Sequence, residues 1–265
     1  MDKRMPAVCG QFYPADRNQL REKIAGLFKG VESSDKVSEA IVPHAGYAYS
    51  GKTAAKTIAL MKKSEGFVIL SPNHTGIGCD IALSESDSWV TPLGSLKVDK
   101  KLSKSIEQKG LAEFDESAHI AEHSIEVILP FLQHRFGAIS IVPITIATTE
   151  FDKLVEFGNI LAENAEKSNF NVIASSDFSH FIPEKSAKER DSLAIDVIKK
   201  ISPREFYDLV TSKNLSICGI SPITVLLQYC RRIGRKKAML IEYTTSASFS
   251  KDYASVVGYA GIVFL

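Results

Sequence analysis

Short Ile- and Val-rich runs alternate along this chain with longer segments of helical period, and that alternation constrains the fold more than any other feature. The runs lie at 39–43, 67–71, 80–84, 139–146, 171–176, 237–245 and 255–264. Several lack a polar residue at every second position, which is how strands buried on both faces read. Between them, 51–62, 99–109, 120–136, 150–166, 186–200, 203–213 and 219–233 carry apolar residues at 3.6-residue spacing. The stripe Ile125, Ile128, Leu129, Leu132, Phe136 predicts one helix over 120–136, Asp99 opens another, and Ser202-Pro203 reads as a cap followed by proline at the first helical position. The expected class is α/β, a largely parallel or mixed central sheet flanked by helices. With no internal repeat, low-complexity tract or Gly/Ser/Pro-rich linker, residues 1–265 are expected to form a single domain.

Open α/β sheets bind ligands beyond the carboxyl ends of their strands. His44 follows the run IVP, His74 follows FVILSPN, and His180 follows NVIASSDFS. Three of the six histidines are thus delivered to strand ends, among turn residues such as Pro43, Gly46, Pro72, Asn73 and Gly76. They converge only if the strands are neighbours, which sequence does not say.

Lys and Arg total 32 against 31 Asp and Glu, so no charge excess favours nucleic acid or an anionic membrane surface as partner. The longest apolar stretch, AISIVPITIA at 138–147, is too short and too interrupted to span a bilayer. The first residues carry charge without an apolar segment behind it, as a secretory signal would require. Cys9, Cys79, Cys218 and Cys230 are scattered, without a CxxC pair, and are expected as free thiols in the cytoplasm. No residue pattern bears on oligomeric state.

Two neutral imidazoles and one anionic donor are a common set for a divalent transition metal. His44 and His74 supply the nitrogens, and the third donor could be a carboxylate or a thiolate. Cys218 is the best thiol, just ahead of a predicted helix N-terminus that favours thiolate. In SSDFSH, Asp177 lies three residues before His180 and could orient that imidazole as a general base. A serine nucleophile from the same segment lacks the GxSxG elbow. The pentad HIAEH gives a competing reading, a zinc-dependent hydrolase with His119 and His123 as ligands on one helix face and Glu122 as base. Tyr47 and Tyr49 are packing residues by default, with hydroxyls able to position an oxygen-bearing substrate. Phosphate-cradling glycine motifs are absent.

In order, MPAVCGQFYPAD, IVPHAGYAYSG, SPNHTG, TPLGSLKVD, EHSIEVILPFLQ, VPI, SSDFSH and ICGISPITVLL resemble the Memo family from about Met5 to the C-terminus. The resemblance implies a fold related to the class III extradiol dioxygenases, the LigB-like non-haem iron enzymes. It implies His44, His74 and Cys218 as metal ligands, His180 as the acid/base with Asp177 beside it, and His123 lining or supporting the pocket, which Tyr13, Tyr47 and Tyr49 help to shape. Those dioxygenases hold Fe(II) with two histidines and a carboxylate. A thiolate at the third position is softer and more oxidisable, and shifts the expectation toward Fe(II) or Cu with Zn also accommodated. The expected function is a metal-binding protein, an oxidoreductase acting on a small molecule. The alternative is a non-catalytic module whose cleft takes a peptide or protein partner.

Overall fold

The computed structural model describes residues 2–64 and 66–265. The strands are β1 Lys3–Arg4, β2 Glu39–Val42, β3 Gly66–Pro72, β4 Ile81–Leu83, β5 Ser88–Thr91, β6 Gly94–Val98, β7 Glu113–Phe114, β8 Ser140–Ile146, β9 Phe170–Ser175, β10 His180–Ile182, β11 Ala238–Thr245 and β12 Val256–Phe264. The helices are α1 Arg17–Phe28, α2 Gly51–Ala59, α3 Lys100–Glu107, α4 Ser117–Ile120, α5 Leu129–Phe136, α6 Phe151–Ala165, α7 Glu184–Lys199, α8 Pro203–Ser212, α9 Ile220–Arg232 and α10 Ala247–Ser250.

The main path of the sheet runs β1-β5-β6-β8-β3-β9-β2-β12-β10, with β11 on β12 and β4 bridging β8 and β7. From β6 to β2 every neighbouring pair is parallel. Antiparallel pairs flank this parallel block on both sides, β5 with β6 and β12 with β2. The fold is therefore mixed α/β with helices over a large central sheet.

Every residue of β3 is buried, and its side chains alternate between two cores. Val68 and Leu70 enter the core formed with α6, α8 and α9, while Phe67 and Ile69 enter the one formed with α2 and α5. This two-sided burial explains the near-continuous apolar runs, each large aliphatic side chain contributing about 1.5–3 kcal/mol by leaving water. Local signals set the helix starts. Asp16 accepts from the amides of Asn18 and Gln19, Asp99 from Leu102, and Ser202 from Glu205.

The seven predicted strands are all present. The hairpin β5–β6, the two-residue β1 and β7 and the three-residue β10 were beyond the apolar pattern, being short and partly exposed. Helix α1 was also missed, since only Leu20 and Ile24 of its twelve residues are buried.

The single helix expected over 120–136 is corrected to two helices, α4 and α5, separated by turns at 121–128. Pro130 sits in the first turn of α5; lacking an amide hydrogen, it cannot continue a helix arriving from residue 120. The turns between still bury Ile125 and Ile128, so the apolar stripe survives without the helix. They also bury Glu122 and Glu126.

Glu126 explains how this irregular segment is held. Its carboxylate pairs with Arg4 and accepts from the amides of Ala7 at 2.7 Å and Val8 at 3.1 Å and from the Tyr13 hydroxyl at 2.6 Å. Arg4 also donates to the carbonyls of His119 at 3.1 Å and Glu122 at 2.6 Å, and its guanidinium lies 4.4 Å from the centre of the Trp89 ring. The N-terminal arm is thereby fastened over 119–126. Both ion-pair partners are almost fully buried, Arg4 at 3% exposure and Glu126 at 0%. Replacing Arg4 by Met keeps apolar volume but strands the Glu126 charge, a loss of about 3–5 kcal/mol. We expect a clear fall in the urea unfolding midpoint of Arg4→Met; an unchanged midpoint contradicts this role.

Candidate metal centre

Strands β3, β9 and β2 are adjacent and parallel, so their carboxyl ends open on one rim. Val42 is in register with Ser175, which brings His44 level with the chain just beyond β9. The His44 amide donates to Asp177 Oδ1 at 2.9 Å, and its ring Nδ1 lies 2.8 Å from Ser175 Oγ. His74, carried beyond β3, places its ring centre 5.2 Å from that of His44. His123, from the turns at 121–128, lies 5.4 Å from His44 and 4.7 Å from His74.

Cys218 arrives from the other direction, just before α9. Its sulfur is 3.4 Å from His44 Nε2 and accepts from the Asp177 amide at 3.2 Å. Gly219 makes this approach feasible: a Cβ there would lie 2.3 Å from the Ser176 Cβ and 2.4 Å from its hydroxyl. With no side chain there, the Gly219 amide instead donates to Ser176 Oγ at 3.1 Å.

The donor atoms of His44, His74 and Cys218 all lie within 4.8 Å of one another, as do those of His74, Glu122 and His123. The hydrogen bonds assign the imidazole tautomers. The Ser175 hydroxyl donates its proton to the Ser124 carbonyl at 2.8 Å, so it accepts from His44 Nδ1 and leaves Nε2 with a free lone pair facing the sulfur. His74 Nδ1 donates to Glu122 Oε1 at 2.9 Å, again leaving Nε2 free. A carboxylate or hydroxyl behind an imidazole is the usual way a metal-ligating histidine is oriented. The donor set, two bare Nε2 atoms and a thiol, fits a divalent transition metal.

Burial of His44, reinforced by the neighbouring His123 and His74, holds its pKa well below the usual value. Its ring is therefore neutral and fit to ligate. Burial and then the Asp177 carboxylate push the Cys218 thiol up. Burial also pushes Asp177 up to about 6, against the pull of the His44 amide. For Glu122 burial acts upward too, but the hydrogen bonds from His74 and Ser124 outweigh it and hold the carboxyl well below its ordinary range.

Several expectations change in detail. Asp177 hydrogen-bonds the His44 amide rather than the His180 ring, because the register of β2 and β9 sets it beside His44. His180 is oriented by Ser216, whose carbonyl accepts from Nδ1 at 2.8 Å and whose hydroxyl accepts from the His180 amide at 2.8 Å. Tyr13 and Tyr47 are buried with their hydroxyls engaged by Glu126 and the Val127 carbonyl. Tyr49 lies 40% exposed against Phe249, beside a groove of about 370 Å³.

The shared helix face proposed for HIAEH does not exist. His119 ends up in a buried corner, with Nδ1 3.1 Å from Thr145 Oγ1 and its ring against Trp89. Glu122 is occupied by His74, the amides of His123 and Ser124, and the Ser124 hydroxyl. The hydrolase built on His119, Glu122 and His123 is corrected on these grounds. The supporting roles of Ser175, Ser216 and Glu122 toward the histidines had no sequence signal, because each contact joins distant parts of the chain.

Gly219→Ala should force Cys218 away from His44. We expect a loss of about 1–3 kcal/mol in stability from the overpacking and faster alkylation of Cys218, followed residue by residue by mass spectrometry. Unchanged alkylation at Cys218 would show that the glycine does not hold the thiol in place.

The chain is similar to known proteins over nearly its whole length. The family description "Memo-like protein" matches residues 4–263. A MEMO1 family protein of Methanosarcina acetivorans is 41% identical over 267 residues, covering 99% of each chain. A MEMO1 family protein of Aquifex aeolicus is 36% identical over 268 residues, covering 100% of each. The solved structure of an uncharacterized protein from Escherichia coli K12 superposes with a TM-score of 0.61 at 12% identity, covering 86% of this chain and 100% of that one, a likeness of fold alone. The chain belongs to the Memo family.

Proposed function

We propose that the protein is a metal-dependent oxidoreductase that holds Fe(II) or Cu, with Zn the competing ion, through His44, His74 and Cys218. The observation that carries this is the unprotonated His44 Nε2 lying 3.4 Å from the Cys218 sulfur, with His74 presenting its own bare nitrogen nearby. A bound ion of this kind would supply Lewis acidity and one-electron chemistry to a small oxygen-bearing substrate. The chain's own residues do the rest. Ser175 and Glu122 fix the two imidazoles, and Asp177 anchors the His44 backbone. His180, with Nδ1 held by the Ser216 carbonyl, keeps Nε2 free to take a proton from the substrate. The four free cysteines suit a reducing compartment, and we place the protein in the cytoplasm. No helix among the described residues is long and apolar enough to cross a membrane.

Elemental analysis of anaerobically purified protein tests the centre. We expect stoichiometric redox metal in the wild type and none in His44→Ala; metal retained by a His44→Ala/His74→Ala double variant rejects the site. Glu122→Gln should weaken metal binding about 10–100-fold by releasing His74 from its fixed orientation.

The pH dependence has a definite sign. The Cys218 thiol is raised above its ordinary 9.0, so it is protonated in metal-free protein near neutrality. Ligation needs the thiolate, so binding releases a proton there and affinity rises about tenfold per pH unit from about pH 7 to 9. His44 is already neutral and Asp177, near 6, already ionised over that range, so neither adds to the slope. Competition titrations should find this slope flattened in Cys218→Ser; an equal slope in the variant would remove Cys218 from the ligand set.

Exposed aromatic side chains, Tyr49, Phe249 and Tyr253, give some support to the second reading, a peptide- or protein-binding module. Oxygen uptake with reductant across a panel of small oxygen-bearing substrates separates the two. No uptake, with peptide affinity indifferent to chelator, favours the module.

A further inference from the structure

Phe181 is placed where ordinary strand geometry would not put it. Neighbouring residues of a strand point to opposite faces. In β10, however, the rings of His180 and Phe181 lie 5.7 Å apart, centre to centre. The register against β12 shifts between His180 and Ile182, so Phe181 is the extra residue of a bulge. Its φ is +57°, a left-handed conformation that a bulky residue rarely adopts. The side chain gains little burial in return, remaining 77% exposed. Both flanking features are secured independently. The His180 amide and ring are held by Ser216, and the preceding Ser179 donates its amide and hydroxyl to the buried Asp191 at 3.1 Å and 2.6 Å. A strained backbone with an exposed aromatic beside a free imidazole nitrogen is not explained by packing. Bulges of this kind re-aim side chains at binding sites.

We propose that Phe181 is a substrate-contacting residue, the apolar wall of the site on the His180 side, and that it selects ligands carrying a flat apolar face next to the oxygen group presented to His180. This rests on the placement of the binding site proposed above and adds the substrate class: aromatic or planar conjugated acids and alcohols over their aliphatic counterparts. The aromatic ring contributes by offset or edge contact with the ligand face.

The test compares benzoate with acetate, which share a carboxylate and differ by the ring. Binding to metal-free and metal-loaded protein is followed by NMR through the His180 ring resonances. In the wild type we expect benzoate to bind more tightly than acetate. In Phe181→Gly that preference should fall roughly three- to tenfold, the range of a single aromatic contact, with acetate affinity unchanged. Because glycine adopts a positive φ freely, the same variant should unfold at a higher denaturant concentration than the wild type. A wild type with no preference for benzoate, or a Phe181→Gly variant that keeps the full preference, overturns the inference. Failure of the wild type to hold metal overturns the metal-centre reading but leaves the benzoate contrast on metal-free protein to decide the role of Phe181.

Discussion

Everything at the rim depends on three parallel strands lying side by side with both faces buried. β3, β9 and β2 have no freedom to splay, since each face is sealed by helices. Their chains must leave the sheet at the same edge, where backbone polar groups lose their ladder partners and must find others. The partners found there include the groups a metal centre would use. The His44 amide takes the Asp177 carboxylate, the Asp177 amide takes the Cys218 sulfur, and the His74 amide takes Glu122 at 2.6 Å. Satisfying the strand ends and assembling the donor set are the same event.

The second condition is an irregular segment buried between helices. Residues 121–128 carry two acidic side chains with no exposure, a costly arrangement unless each is fully bonded. Glu126 is neutralised by Arg4 and the N-terminal arm. Glu122 faces the imidazoles and collects donors from His74, His123 and Ser124. Glu126 closes the structure, and Glu122, four residues earlier, organises the site. The arm from Arg4 to Tyr13 is thus part of the site's support despite its distance in sequence.

The site combines groups whose protonation preferences are opposed. Burial keeps His44 neutral and Cys218 protonated, while hydrogen bonds keep Glu122 ionised. A buried thiol beside a neutral imidazole is a poor ion pair but a good receiver for a cation, which can replace the thiol proton and satisfy both lone pairs. His180 stands apart from this set. Its orientation comes from Ser216, just upstream of Cys218, so the segment 216–219 links the acid/base candidate to the ligand candidate.

Sequence alone determined the class of fold, because two-sided burial writes itself as unbroken Ile and Val runs, and it singled out His44, His74 and Cys218 because imidazoles and a thiol at element ends are conspicuous. It misread 120–136, where the apolar stripe persists through turns and only Pro130 marked the break. It also paired Asp177 with His180, the nearer residue along the chain. Tertiary structure decided that pairing and the roles of Ser175, Ser216, Glu122 and Arg4, since each depends on strand order and register. Those are long-range choices among packing arrangements, and no local propensity records them.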